Sequence, residues 1–352
     1  MTQNTYQKIL FVLLLLAGLF AINYWVKSST TENETDTTGT NATKSPTATI
    51  EPNVNHQYID AANNKLTTKK PQTKASTEII LNSLDQLIEL FDSLNYNKQS
   101  WDAGVREVPR LTFDSVSENW QKTSNEIPVQ VKKMVFFRLM APLILLSNEN
   151  IILERKWVKQ AELTDNKLID IATKYKVIPD KQTPLTQDLR KQLLKRVDIM
   201  PPSLVLAQAA EESGWATSRF TVEGNAFFGQ WDFSGNGMAP KKQRTELGNY
   251  GLARFNTPQA SVEGYMLNIN THAAYLKLRQ MRQQLRYEKK PITGLKLVTT
   301  LDKYSERGQA YIDSIQQMIR YNKLDQVDAA YLSDGAPIHL ISANNQASST
   351  DD

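Results

Sequence analysis

The first marked pattern is an apolar run, ILFVLLLLAGLFAINYWV at residues 9–26, flanked by Lys8 and Lys27, in which Asn23 is the clearly polar exception. As a helix it reaches about 27 Å, just enough to cross the hydrocarbon core of a bilayer. Phe20, Tyr24 and Trp25 crowd its end, where a cleaved signal peptide would carry small residues. The pattern therefore predicts an uncleaved single transmembrane helix within 1–27 rather than a signal peptide. Residues 28–76 are rich in Thr, Ser, Asn and Lys and bury too little apolar surface to fold. They read as a disordered tether with an r.m.s. span of roughly 40 Å.

From Thr77 the pattern becomes helical. Ile80, Leu84, Leu87, Ile88, Phe91 and Leu94 recur at the spacing of one buried stripe. A second long helix is predicted over 128–157, with Met134, Phe137, Leu145, Ile152 and Trp157 as core positions and Pro142 kinking or dividing it. Together these form a helical region, 77–162, with no legible chemistry. A second domain, 163–327, opens with helices marked by Leu168, Ile171, Ala172 and Tyr175 and by Leu189, Leu193 and Leu194. The run Asp198-Ile-Met-Pro-Pro-Ser starts another, with proline in its first turn. A short β-hairpin is predicted over 244–255, turning at Gly248-Asn249. Helices resume over 258–286, 295–301 and 310–321, and the Ser-, Asn- and Asp-rich residues 328–352 read as a disordered tail. The fold class is mainly α (α+β): a helical domain with one small hairpin, behind a helical region and a transmembrane helix.

Charge and composition remove several functions. The 352 residues carry a formal net charge of +4, no cysteine and three histidines. Disulfides and thiol catalysis are excluded. His56 falls in the tether, His272 in a predicted helix and His339 in the tail, which leaves no clustered metal site and no His-based triad. No metal or cofactor is expected. Lys and Arg are interleaved with Asp and Glu, so no nucleic-acid-binding stripe is present. Glu32, Glu34 and Asp36 follow soon after Lys27, a bias that sets the amino terminus inside and the remainder outside the cytoplasmic membrane. A mildly basic chain suits an acidic polymer such as cell-wall glycan.

The candidate chemistry lies in AQAAEESGWATSRFTVEGNAFFGQW, residues 207–231. On a helix over 202–212, Leu204, Ala207 and Glu211 share one stripe and Gln208 and Glu212 another about 100° away, so the two glutamates cannot share an environment. An arbitrary Glu-Glu pair is usually a pair of exposed helix-end residues. Here Ser213-Gly214-Trp215 breaks the helix and sets an indole beside the acid, and an apolar neighbour raises a carboxyl's pKa. Aromatics are dense from Trp215 to Tyr275. Most suit a core, and Trp215, Trp231 and Tyr275 suit a groove wall that stacks on sugar faces. A glycosidic bond breaks when a protonated carboxyl donates to the leaving oxygen while a second group activates water or stabilises the oxocarbenium ion.

Four blocks, AQAAEESGWATSRF, EGNAFFGQW, SVEGYMLNINTHAAYLKLR and YSERG, resemble the Bax-type branch of the bacterial glucosaminidase family. The resemblance covers roughly 164–325, with a weaker echo back to about 109. It implies a lysozyme-like fold and a β-N-acetylglucosaminidase acting on peptidoglycan glycan strands. The flanking charges set the catalytic domain on the periplasmic or extracellular side, and a monomer is expected. The resemblance makes Glu212, immediately before Ser-Gly-Trp, the general acid, and puts Glu211 where the family varies. Glu246 in QRTEL matches a second carboxylate on a mobile hairpin, and Tyr275 in NTHAAY matches a functional tyrosine. Asn225 and Phe228 match the cleft-floor block. With Trp215 and Trp231 they form the expected substrate-binding set. The family's usual glycine after the tryptophan is Ala216 here, and Asp232 and Gly237 stand where many relatives carry a cysteine pair.

Two other readings compete. A lytic transglycosylase shares the fold and the Glu-Ser pair, but the chain lacks the Gly-Leu-Met-Gln and Ala-Tyr-Asn blocks of those enzymes. A non-catalytic wall-binding module would retain the groove alone. His272 reads as a structural hydrogen-bonder, and Tyr304-Ser-Glu-Arg-Gly308 as a turn from which Arg307 or Glu306 pairs with the domain.

Overall fold

The computed structural model describes residues 75–232, 234, 236–240 and 251–342, all within one compact unit, His56–Asp352. The predicted transmembrane helix, nearly all of the tether and Glu246 lie outside these residues. Among the described residues no helix is long and apolar enough to cross a membrane.

The chain enters as a strand, β1 (Thr77–Leu81), and Ile80 belongs to it rather than to the helix its spacing predicted. Helix α1 (Leu84–Ser93) begins only at Ser83, whose hydroxyl accepts from the Gln86 amide. Then come α2 (Lys98–Asp102), β2 (Glu107–Val108), β3 (Leu111–Phe113) and α3 (Trp120–Glu126). Helix α4 (Val129–Gln160) runs unbroken through the buried Pro142. One lost backbone bond is outweighed by a helix buried along its middle third. Trp157, expected in the core, is 39% exposed and donates from its indole nitrogen to Asp165.

Helices α5 (Asn166–Lys174) and α6 (Gln187–Arg196) lead to α7 (Pro202–Ser213), the central helix, in which every residue from Pro202 to Ala210 is buried. A short α8 (Arg219–Gly224) follows, then β4 (Trp231–Asp232) and β5 (Gly251–Leu252). Of the hairpin predicted over 244–255, the turn at Gly248-Asn249 lies outside the described residues, and β5 pairs antiparallel with a strand before the predicted span, Trp231 with Leu252 and Asp232 with Gly251. The helix expected over 258–286 is two, α9 (Pro258–Thr271) and α10 (Leu276–Tyr287), separated by a 3-10 turn at Ala273–Tyr275. After α11 (Gly294–Leu297) and α12 (Gln309–Tyr321), a 3-10 segment (Leu324–Ala329) leads into β6 (Tyr331–Leu332) and β7 (Ile338–Ser342).

The tail expected from 328 is thus ordered as far as Ser342. β7 lies between β1 and β3, parallel to both, with Ile338 beside Thr77 and Leu111. Its pairing partners are more than two hundred residues away in sequence, so a composition window could not register them. Nor does 162/163 divide two cores. One apolar cluster extends from Phe91 to Leu340, with α4 packed on both α7 and α9.

Candidate functional site

The site is built at the carboxyl end of α7, and that helix is fixed at both ends. At its start, Asp198 is buried (2% exposed) with Arg155, Arg282 and Arg286 around it. Burial pushes the Asp198 carboxyl up, but Arg282, Arg155 and Arg286 outweigh it and hold it below the usual range. Arg155 and Arg282 also donate to backbone carbonyls at the end of α6 and the entry to α7, Arg155 to Leu194 and Val197 and Arg282 to Ile199. Asp328 caps α7 from the far end of the chain, accepting from the Ser203 amide at 2.9 Å and the Ser203 hydroxyl at 2.8 Å.

At the other end Gly214, Trp215 and Ala216 are all left-handed, with φ of 58°, 63° and 64°. Three such residues in succession are costly for side chains other than hydrogen. Ser213 holds the turn, its hydroxyl donating to Ala209 and accepting from the Ala216 amide at 2.9 Å. The helical region before residue 163 supplies the rest. The Trp120 indole donates to the Trp215 carbonyl at 3.0 Å, and the Trp215 ring meets Phe136 and Phe137 edge-on at 5.5 and 5.3 Å.

Glu211 and Glu212 part as the helical geometry requires. Glu211 Oε1 pairs with Arg307 at 2.7 Å and accepts from Ser314. Glu212 Oε1 accepts from the Tyr311 hydroxyl at 2.9 Å. Glu212 is an exposed residue, yet burial is the largest influence on its carboxyl and raises it above the ordinary range. The two facts fit a carboxyl in a recess, crowded by protein on its inner sides and reached by water on one. Tyr311 opposes the rise, Glu211 adds to it and Arg307 opposes it.

The inner sides are tyrosine. Tyr304 and Tyr311 stack at 5.3 Å, Phe228 and Tyr265 at 4.1 Å, and Tyr275 lies 6.0 Å from Tyr304. Burial first, and then the Glu212 charge, raises the Tyr275 phenol, so it stays protonated. The ring contacts of Trp215 are with α4, so the apolar surroundings of Glu212 are supplied by this tyrosine group, not by the indole the sequence placed beside it. A cavity of about 330 Å³ lies elsewhere, against β1, β7, α3 and α4, and no ionisable side chain lines it, so it offers no acid–base chemistry.

A family model described as mannosyl-glycoprotein endo-beta-N-acetylglucosaminidase matches residues 187–324, the span that holds α7 and the tyrosine group. The chain is also 33% identical over 201 residues to Protein bax of Escherichia coli (strain K12), covering 54% of this chain and 70% of that protein. The chain belongs to the Bax-type branch of the glucosaminidase family. No solved structure matches it significantly. The matched domain suggests a glycan-hydrolysing role.

Within that domain the predicted site residues separate by place. Glu212, Tyr275 and Phe228 belong to one cluster, Phe228 being buried beneath Tyr265. Trp231 is 52% exposed on β4. Asn225 is a buried left-handed cap of α8, donating to the carbonyls of Asp114, Phe255 and Asn256. Its amide holds loops together. Among the described residues no group of His, Asp and Glu is arranged to hold a metal ion. His272 caps the 3-10 turn, accepting from the Ala274 amide, and Arg307 pairs with Glu211 as the sequence allowed. Sequence reasoning missed Gln208, Tyr304 and Tyr311 as site residues. Gln208 had a signal, since it shares the Glu212 stripe one turn earlier. Tyr311 had none, because 99 residues separate it from its partner.

Proposed function

We propose that the chain is a peptidoglycan β-N-acetylglucosaminidase held at the cytoplasmic membrane by residues 9–26, with its catalytic domain on the periplasmic side. The observation that carries this reading is Glu212, a carboxyl raised by burial and open on one side, within the matched domain. Protonated, it donates to the oxygen leaving C1. Water then completes hydrolysis, activated by Glu246 or preceded by the substrate's own 2-acetamido group. Tyr275 and Trp231 border the glycan, the exposed indole offering a face to a sugar ring.

The products test it. Mass spectrometry of muropeptides released from purified sacculi is expected to find reducing GlcNAc ends. A 1,6-anhydro-muramyl end would instead make the chain a lytic transglycosylase, and no release at all a binding module.

A further inference from the structure

The two oxygens of Glu212 have different surroundings. Oε1 accepts from the Tyr311 hydroxyl at 2.9 Å. That hydroxyl in turn accepts from Gln208 Nε2 at 3.0 Å, and Gln208 Oε1 accepts from the Tyr265 hydroxyl. Gln208 is 0% exposed and Tyr265 and Tyr311 1% each, so water does not compete. A phenol has a single hydrogen to give, and an amide has one donor end and one acceptor end. The three bonds therefore point one way, toward Glu212. Oε2 lies toward Gly229. That glycine (φ +60°) presents no side chain, and a Cβ built on it would stand 3.7 Å from Oε2.

We infer that Tyr311, oriented by Gln208 and Tyr265, is a positioning residue that confines the transferable proton of Glu212 to Oε2 and sets the pH above which the acid stops working. The inference rests on Glu212 being the general acid. A proton on Oε1 would face the Tyr311 hydrogen, and relieving that contact would turn this hydrogen away from Glu212, where it lacks an acceptor unless Gln208 flips and the bonds back to Tyr265 reverse. A proton on Oε2 disturbs nothing and faces the space over Gly229, where a glycosidic oxygen can approach. On transfer the Oε2–H bond breaks, the proton joins the leaving oxygen as its bond to C1 breaks, and Glu212 is left a carboxylate. The Tyr311 bond favours that charged form, so it strengthens as charge develops.

Tyr311→Phe tests this, because phenylalanine keeps the ring stacked on Tyr304. The full chain is assayed for glycan hydrolysis across pH, with kcat and KM separated. Losing a donor to the carboxylate raises the Glu212 pKa, so the alkaline limb of the kcat profile moves up by about one pH unit. Plateau kcat falls roughly tenfold with KM unchanged. A limb that stays put or moves down overturns the inference. Tyr265→Phe leaves the partner of Glu212 in place but releases Gln208 to turn its carbonyl toward Tyr311, which then donates there instead. A smaller shift in the same direction is expected, and its absence overturns the relay even where Tyr311→Phe does not fold. Glu212→Gln in the same assay separates the two failures: wild-type activity there removes the acid assignment, not the relay.

Discussion

Adjacent glutamates at the end of one helix acquire different chemistry because one faces a cation and the other a layer of phenols. Arg307 neutralises Glu211, and burial among the tyrosines keeps a proton within reach on Glu212. The turn that follows is strained, and at Ala216 the strain is avoidable. With φ of 64°, this position suits glycine, which has no Cβ to clash with the backbone. Ala216→Gly is therefore expected to stabilise the fold by about 1 kcal/mol, read as a raised denaturation midpoint at unchanged m. An unchanged or lowered midpoint would mean that the buried methyl contributes more than the dihedral costs. Most of this residue-level account was legible in the sequence. The 100° separation of Glu211 and Glu212 and the Ser-Gly-Trp break both stand in the structure. The indole's position did not follow, because a left-handed backbone after Gly214 turns Trp215 onto Phe136 and Phe137.

α7 is the element on which the site depends, and distant residues terminate it. Pro201 supplies no side-chain cap, so Asp328 fills that role from the 3-10 segment before β6. Burial pushes the Asp328 carboxyl up to about 6, against hydrogen bonds from Ser203 and Gly294. A group whose pKa is raised on folding binds its proton more tightly in the folded state. Its contribution to stability is complete below the unfolded value near 4 and is lost as pH rises through about 6. Unfolding free energy measured from pH 4 to 7 should therefore fall more steeply with rising pH for the wild type than for Asp328→Asn. Parallel curves would contradict the assignment. The Pro-Pro-Ser start located α7, and apolar spacing located the helices over 129–160 and 309–321, all within a few residues. Spacing could not foresee the 3-10 break at 273–275, because the helical pattern continues across it and the reversal depends on His272 accepting from Ala274.

At the scale of the molecule, the helical region before residue 163 buttresses the glucosaminidase-family domain instead of standing apart. Trp120, Phe136 and Phe137 hold the strained turn after α7, and β1 and β3 clasp the last described strand between them. That arrangement was not legible in the sequence. Strands of three to five residues and a Ser-rich stretch carry little local signal, and parallel pairing between chain ends is fixed only when the whole chain is folded. The family blocks, by contrast, were readable because each is a continuous stretch of sequence: the end of α7 with the turn after it, α8 to β4, α9 into α10, and the turn before α12. The central claim is that Glu212 is the acid, and the most direct measurement is the rate of hydrolysis of purified sacculi by Glu212→Gln and Glu211→Gln beside the wild type. Glu212→Gln is expected to lose roughly 10²- to 10⁴-fold in rate with its fold and wall binding intact, while Glu211→Gln stays active. Wild-type hydrolysis by Glu212→Gln, or an inactive Glu211→Gln beside an active Glu212→Gln, would contradict the assignment.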